Sequence, residues 1–194
     1  MQGMSESTLA AVKASPIAEL PATALRIAAG FASTSIEGLD AVVVKPGSEH
    51  GEVIITAAQP CRVVQITAEG TCQRQFGLPV KALRAAMALD RHAEHVVVVD
   101  GDVGMLNLRT FSKTSTCSVH LPEAHGASLN LPPTTPGACQ VTFATPLLLS
   151  LLRDLQPLAD VALEPFTHGL QVTGQGDGYG VFALLAGVEQ VHLP

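Results

Sequence analysis

The order of apolar and polar positions divides this chain into a few helical segments separated by groups of short strands. Helices are predicted over residues 22–32, 79–91 and 145–155, each entered through a proline. Short runs rich in Val and Ile, bounded by Gly and Pro, are typical of strands. The predicted strands are residues 41–45, 52–57, 62–67, 96–99, 105–111, 116–121, 140–143, 161–164, 169–172 and 179–185.

The helical segments repeat one phrase. Residues 20–29 (LPATALRIAA) return 58 positions later as residues 78–87 (LPVKALRAAM), and residues 144–152 (ATPLLLSLL) are a looser echo 66 positions further on. A period of this length indicates one supersecondary unit that is used several times. The chain is therefore predicted to contain three β-α-β-β-β modules, an α+β fold built on antiparallel sheets.

Two glycine-containing segments predict turns. Asp100-Gly101 lies between two apolar runs and predicts a hairpin, because such a turn needs a residue with positive φ. Residues 174–180 (GQGDGYG) alternate glycine with other residues. A phosphate-binding glycine loop would be followed by a helix, but a predicted strand follows here, which favours a flexible hairpin turn.

Three phrases resemble the DNA sliding clamps of the bacterial DNA polymerase III β-subunit type: residues 76–83 (FGLPVKAL), the strand–turn–strand at 96–108, and residues 179–185 (YGVFALL). The resemblance covers roughly residues 20–190. It implies a DNA-clamp-like α+β fold of three modules, with antiparallel sheets outside and the helices on one face. It divides the chain into a lead-in strand or loose arm (1–19), a clamp-like domain of two modules (20–122), a connector (123–137) and a third module (138–194).

The number of modules bears on assembly. Modules of this family pair into domains, and twelve of them close a ring, so the third module of this chain needs a partner. We expect a homo-oligomer. Four chains would supply the twelve modules of a ring, and a dimer with six modules that does not close is the alternative.

Charge is unevenly distributed along the chain. The net charge of −6 argues against a general nucleic-acid binder. The three predicted helices nevertheless sum to +3, with two acidic residues, Asp90 and Asp154, which leaves −9 for the rest. Because clamp helices line the DNA path, the resemblance implies loose contact with duplex DNA, although a solvated helix face is the alternative interpretation. The implied DNA-binding residues are Arg26, Lys81, Arg84, Arg91 and Arg153.

A second function class is an adaptor or decoy on the same scaffold. Such a protein would bind DNA polymerase or clamp-loader peptides without encircling DNA. The candidate peptide groove lies near Arg62, Val63 and Leu184, between the first sheet and the last strand. Ordinary core packing is the competing explanation for these residues.

The sequence offers no positive sign of an enzyme, because it contains no nucleophile motif such as G-x-S-x-G. His92, His95, Cys117 and His120 have ligand-like spacing, but Cys117 and His120 would point to opposite faces of one strand, so we expect no metal site. No cofactor is expected. With 47% apolar and 14% charged residues the chain is predicted to be folded.

Location is inferred from two further features. No run of about 18 apolar residues exists, so we expect no membrane partner. The cysteines have no paired spacing, which favours reduced thiols and a cytoplasmic protein. They are Cys61, Cys72, Cys117 and Cys139.

Overall fold

The computed structural model describes residues 15–125, 131, 143–166 and 169–187. Within these ranges it contains three helices and twelve strands, which form three successive modules. Module 1 comprises β1 (Pro16–Pro21), α1 (Ala22–Phe31), β2 (Ala41–Pro46), β3 (Glu52–Gln59) and β4 (Arg62–Glu69).

Module 2 repeats this order, and the described part of module 3 repeats it from the helix onward. The two-residue strand β5 (Thr71–Cys72) precedes module 2, which comprises β6 (Phe76–Pro79), α2 (Val80–Leu89), β7 (His95–Asp100), β8 (Met105–Phe111) and β9 (Thr116–Pro122). Module 3 comprises α3 (Thr145–Asp154), β10 (Val161–Phe166), β11 (Gly169–Gly176) and β12 (Tyr179–Ala186).

Proline sets the start of each helix. Pro21 and Pro79 are the residues immediately before α1 and α2, and both have extended backbone with φ near −60°. Pro146 stands in the first turn of α3, where a missing N–H costs no hydrogen bond. The three predicted helices are therefore confirmed, each within two residues at either end.

Modules 1 and 2 exchange their first strands. β1 of module 1 pairs with β7 of module 2, and β6 of module 2 pairs with β2 of module 1, both antiparallel. The sequence pattern left residues 1–19 open between a strand and a loose arm, and it treated residues 76–79 as the entry to the helix predicted over 79–91. Pro16–Pro21 and Phe76–Pro79 are strands because each fills the open edge of the other module.

Two antiparallel sheets result. The first has five strands in the order β5-β1-β7-β8-β9, and the second has seven in the order β10-β11-β12-β4-β3-β2-β6. The second sheet joins module 3 to module 1, because β12 pairs with β4 along seven residue pairs from Tyr179↔Ala68 to Leu185↔Arg62. One apolar core extends through all three modules, from Ile17 in β1 to Leu185 in β12.

Both predicted hairpins are confirmed, with one correction. β7 and β8 pair from His95↔Phe111 to Asp100↔Leu106, but the positive φ of their loop (+74°) falls on Gly104, so the sequence placed it wrongly at the Asp100-Gly101 dipeptide. In the glycine-rich segment Gly176 pairs with Tyr179, and the turn residue Gly178 has a φ of +73°. The absent Cβ of these two glycines permits the left-handed conformation.

The predicted strand at 140–143 lies outside the described residues except for Phe143, which is not in a strand. Of the described helices, none combines the length and apolar character that a membrane crossing requires.

We expect Leu83→Ala to lower the free energy of unfolding by about 2–5 kcal/mol, because Leu83 is fully buried on α2 and truncation leaves a cavity in the core. Leu89→Ala is the matched control on the same helix. Leu89 is exposed, and its truncation should change stability by less than about 0.5 kcal/mol. Urea unfolding followed by circular dichroism measures both, and equal losses would contradict the assigned burial.

Candidate nucleic-acid interface

The three helices meet at a groove of about 640 Å³. Its rim contains four guanidinium groups and one carboxylate, so its charge is positive although the whole chain carries −6. The charged lining residues are Arg26, Arg62, Arg84, Arg91 and Asp154.

Arg26 and Arg84 hold α1 and α2 together reciprocally. The Arg26 guanidinium donates to the carbonyls of Asp90 and Ala93, just after α2, at 3.1 Å each. Arg84 Nε donates to the carbonyl of Ala29 near the end of α1 at 3.1 Å. Carbonyls at helix ends lack intrahelical partners, and cationic donors satisfy them favourably. Both arginines occupy the fifth position of their helix, as the repeated phrase requires.

Burial also affects one of these two side chains. The Arg26 guanidinium is partly desolvated, which lowers its pKa, while the nearby Asp90 carboxylate acts in the opposite direction. Asp90 is itself buried and accepts a hydrogen bond from the Thr110 hydroxyl at 3.1 Å. Hydrogen bonds from Arg26 of α1 and Thr110 of β8 thus hold the end of α2 in place.

Arg62 connects module 1 to module 3. Its guanidinium forms a largely buried ion pair with Asp154 of α3 (2.7 Å), donates to the Gly30 carbonyl (2.9 Å), and lies 4.9 Å from the centre of the Phe31 ring. Gly30 makes this close approach possible, because a Cβ there would fall 2.7 Å from Cγ of Asp154. Arg62 therefore fixes the end of α1 against the end of α3.

Lys81, Arg91 and Arg153 differ from these three arginines. They are exposed, as Arg84 is, but within the described ranges none of the three makes a side-chain hydrogen bond or an ion pair. Lys81 lies in the first turn of α2, Arg153 in the last turn of α3, and Arg91 just beyond the end of α2. The five predicted DNA-binding residues thus fall into two that bind helix ends and three that remain available to a ligand.

The predicted peptide-binding residues lie on two faces of the seven-stranded sheet. Val63 pairs with Leu184 across the β4–β12 junction, and Arg62 pairs with Leu185. Because neighbouring residues of a strand point to opposite faces, Arg62 is on the helix side whereas Val63 and Leu184 are on the outer side. Leu184 is buried there and Val63 is half-buried.

Sequence reasoning missed two charged clusters. Arg74 bridges Asp100 (2.5 Å) and Glu123 (2.7 Å), and these hydrogen bonds raise its pKa. A second groove is lined by acidic residues and by Tyr179, whose pKa is raised by burial and by Asp177. Its acidic members are Glu19, Glu69, Glu94 and Asp177. The residues of each cluster are far apart in the chain, so no local sequence motif predicts that they come together.

The histidine and cysteine residues do not converge. Across the described part of the chain, no group of three or more His, Cys, Asp and Glu side chains is arranged to hold a metal ion. Cys117 and His120 lie at an odd spacing on β9 and so face opposite sides of the sheet.

No protein-family model and no curated protein matches this sequence. Solved structures do match. Proliferating cellular nuclear antigen (PCNA) from Entamoeba histolytica has a TM-score of 0.64 at 13% identity, over 90% of this chain and 100% of that one. The Helicobacter pylori beta clamp has a TM-score of 0.67 at 8% identity, over 91% and 67%. A. fulgidus PCNA, solved with the C-terminal region of FEN-1, has a TM-score of 0.61 at 7% identity, over 90% and 100%.

Identities this low show the fold alone. The chain has the clamp-like α+β fold of these proteins, which confirms the fold class that the sequence resemblance implied. PCNA and the bacterial beta clamp both match, so the likeness is to the clamp fold in general and not to the bacterial type in particular.

We expect Asp154→Asn to destabilise the protein by about 3 kcal/mol, because it leaves the buried Arg62 guanidinium without its counter-charge. Asp160→Asn is the control, since Asp160 is exposed and outside the ion pairs of the described residues. Thermal and urea unfolding measure the difference. Similar stability of the two variants would mean that the ion pair does not hold modules 1 and 3 together.

Proposed function

We propose that this chain is a sliding-clamp-like protein that encircles or contacts duplex DNA without sequence specificity and tethers replication or repair proteins to it. It would act as a non-enzymatic processivity factor in the cytoplasm. The observation that carries this proposal is the concentration of basic side chains on the helix side of a clamp-like fold whose total charge is negative. In this proposal residues 20–122 act as one domain, and residues 138–194 contribute a third module.

The chemistry of the exposed cations fits non-specific binding. Lys81, Arg91 and Arg153 have flexible side chains whose charged groups can reach phosphate oxygens directly or through water. Phosphate contacts position a protein on DNA but carry no base information, and their strength falls with salt. Arg26 and Arg84 add positive potential while they hold the helices in place. Retention would then come from enclosure and not from affinity.

Enclosure requires more than one chain. Three modules supply a quarter of the twelve that the clamp resemblance implies for a closed ring, so a tetramer would close it and a dimer would form an open arc. Oligomerisation of this general kind agrees with the clamp-like fold.

The second candidate is an adaptor that binds DNA polymerase or clamp-loader peptides without holding DNA. It is favoured by a short apolar row on the outer face of the seven-stranded sheet. Ala58, Val63 and Leu184 are cross-strand neighbours there. A protein ligand is seen on a similar fold in the structure of A. fulgidus PCNA with the FEN-1 segment.

Lys81→Glu combined with Arg91→Glu should weaken binding to duplex DNA at least tenfold and flatten the dependence of log K on log salt by about 2, one unit for each lost phosphate contact. The matched control is Arg109→Glu with Lys113→Glu, which changes the net charge equally at exposed positions outside the helices. Fluorescence anisotropy across a salt series measures both. Equal weakening by the two pairs would indicate a general charge effect and contradict a DNA path along the helices.

Retention on nicked circular DNA tests enclosure directly. We expect the protein, loaded on the circle, to co-elute with it and to be lost when the circle is linearised, because a ring slides off free ends. Equal weak binding to both forms would rule out the clamp function. Binding of a short hydrophobic clamp-interaction peptide without retention on the circle would favour the adaptor.

A further inference from the structure

Among the described residues, β10 of module 3 has a neighbouring strand on one edge only, unlike the equivalent strands of the other two modules. In module 1 the strand after the helix, β2, is paired on its outer edge by β6 of module 2. In module 2 the equivalent strand, β7, is paired on its outer edge by β1 of module 1. β10 holds the same place in module 3, and no strand of the described ranges pairs with its outer edge. An open edge of this kind is a template for pairing.

The burial of β10 agrees with a missing neighbour. The first four residues of β2 are all buried, whereas the four central residues of β10 are all exposed. Leu163 of β10 is 48% exposed although its cross-strand partner Val172 is 0% exposed. Directly paired residues lie on the same face of a sheet, so Leu163 belongs to the core face and marks the place where the core stops.

The helix of module 3 is uncovered in the same way. α1 buries seven of its ten residues and α2 buries four, but α3 buries only Leu151. Leu149 and Leu152 are 57% and 39% exposed, and they lie one turn apart on the same side of α3. Large apolar side chains that are clustered in this way and exposed together indicate an interaction surface.

The repeat shows which way this surface faces. The fifth residue of α1 is Arg26 and the fifth residue of α2 is Arg84, and each crosses to the helix end of the other module. The fifth residue of α3 is Leu149. Position five therefore faces the paired module, and in module 3 it is apolar and 57% exposed.

We propose that module 3 pairs with module 3 of a second copy of this chain across a two-fold axis. The interface comprises Leu149 and Leu152 of α3 together with Leu163 and the open edge of β10, from both copies. The inference rests on the internal pairing of modules 1 and 2 and holds whether or not the protein binds DNA.

A second copy fits because the exchange within the chain is reciprocal. Module 1 gives β1 and receives β6, so one kind of surface serves as donor and acceptor at once. A module that needs a neighbour of its own kind is satisfied by an identical module in an isologous contact, which is the commonest symmetry of soluble oligomers. The seven-stranded sheet, which ends at β10, would then continue into the second copy.

Sedimentation equilibrium of the full chain, at concentrations chosen between about 1 and 100 μM, tests the proposal. We expect a dimer, or a tetramer built from such dimers. Leu149→Glu and, independently, Leu163→Lys should weaken this association at least tenfold, because each places a charge in an apolar contact, and so lower the weight-average mass at each concentration. Val103→Glu is the control, since Val103 is equally apolar and fully exposed in the β7–β8 loop.

The outcomes divide clearly. A monomer or trimer of the unchanged chain overturns the proposal, as does an unchanged mass in both variants. Because Leu149 and Leu163 are exposed in the single chain, their substitution should leave the far-ultraviolet circular dichroism of the monomer unaltered. If both variants and the control lose mass together, the effect is one of charge in general and the assigned interface is wrong.

Discussion

The structure depends on the reciprocal exchange of first strands between modules 1 and 2. A three-stranded meander with one helix leaves one sheet edge open and one helix flank uncovered. β1 and β6 close those edges for each other, and Leu78 of β6 becomes fully buried in doing so. Neither module can bury its share of the core alone, so the pair forms the smallest complete unit.

The same exchange decides what the basic residues can do. Once the modules pair, the fifth position of each helix points at the end of the other, and an arginine there finds helix-end carbonyls. Arg62 acts likewise at the joint with module 3 through Asp154 and Gly30. These three arginines thus hold the three helices together. Lys81, Arg91 and Arg153 are exposed around them.

Among the described residues, the helix and first strand of module 3 are less covered than those of the other modules. Module 3 extends the core and the larger sheet through β12. Its surface at Leu149, Leu152 and Leu163 is apolar and exposed, as expected of a surface that faces another module. The fifth residue of α3 is the exposed Leu149, whereas the arginines at this position of α1 and α2 donate to helix-end carbonyls. In the proposed dimer, assembly would satisfy the same packing requirement as the fold.

The sequence by itself determined the module: helix spacing, strand composition, proline at the helix starts and the repeated phrase act locally, and they predicted three helices and most strands. Only the tertiary structure decided that Pro16–Pro21 and Phe76–Pro79 are strands, because each pairs with residues of another module. It also separated Arg26, Arg84 and Arg62, whose side chains bind at helix ends, from Lys81, Arg91 and Arg153. Their hydrogen-bond partners are 32 to 92 residues away in the chain, and such distances leave no local pattern in the sequence.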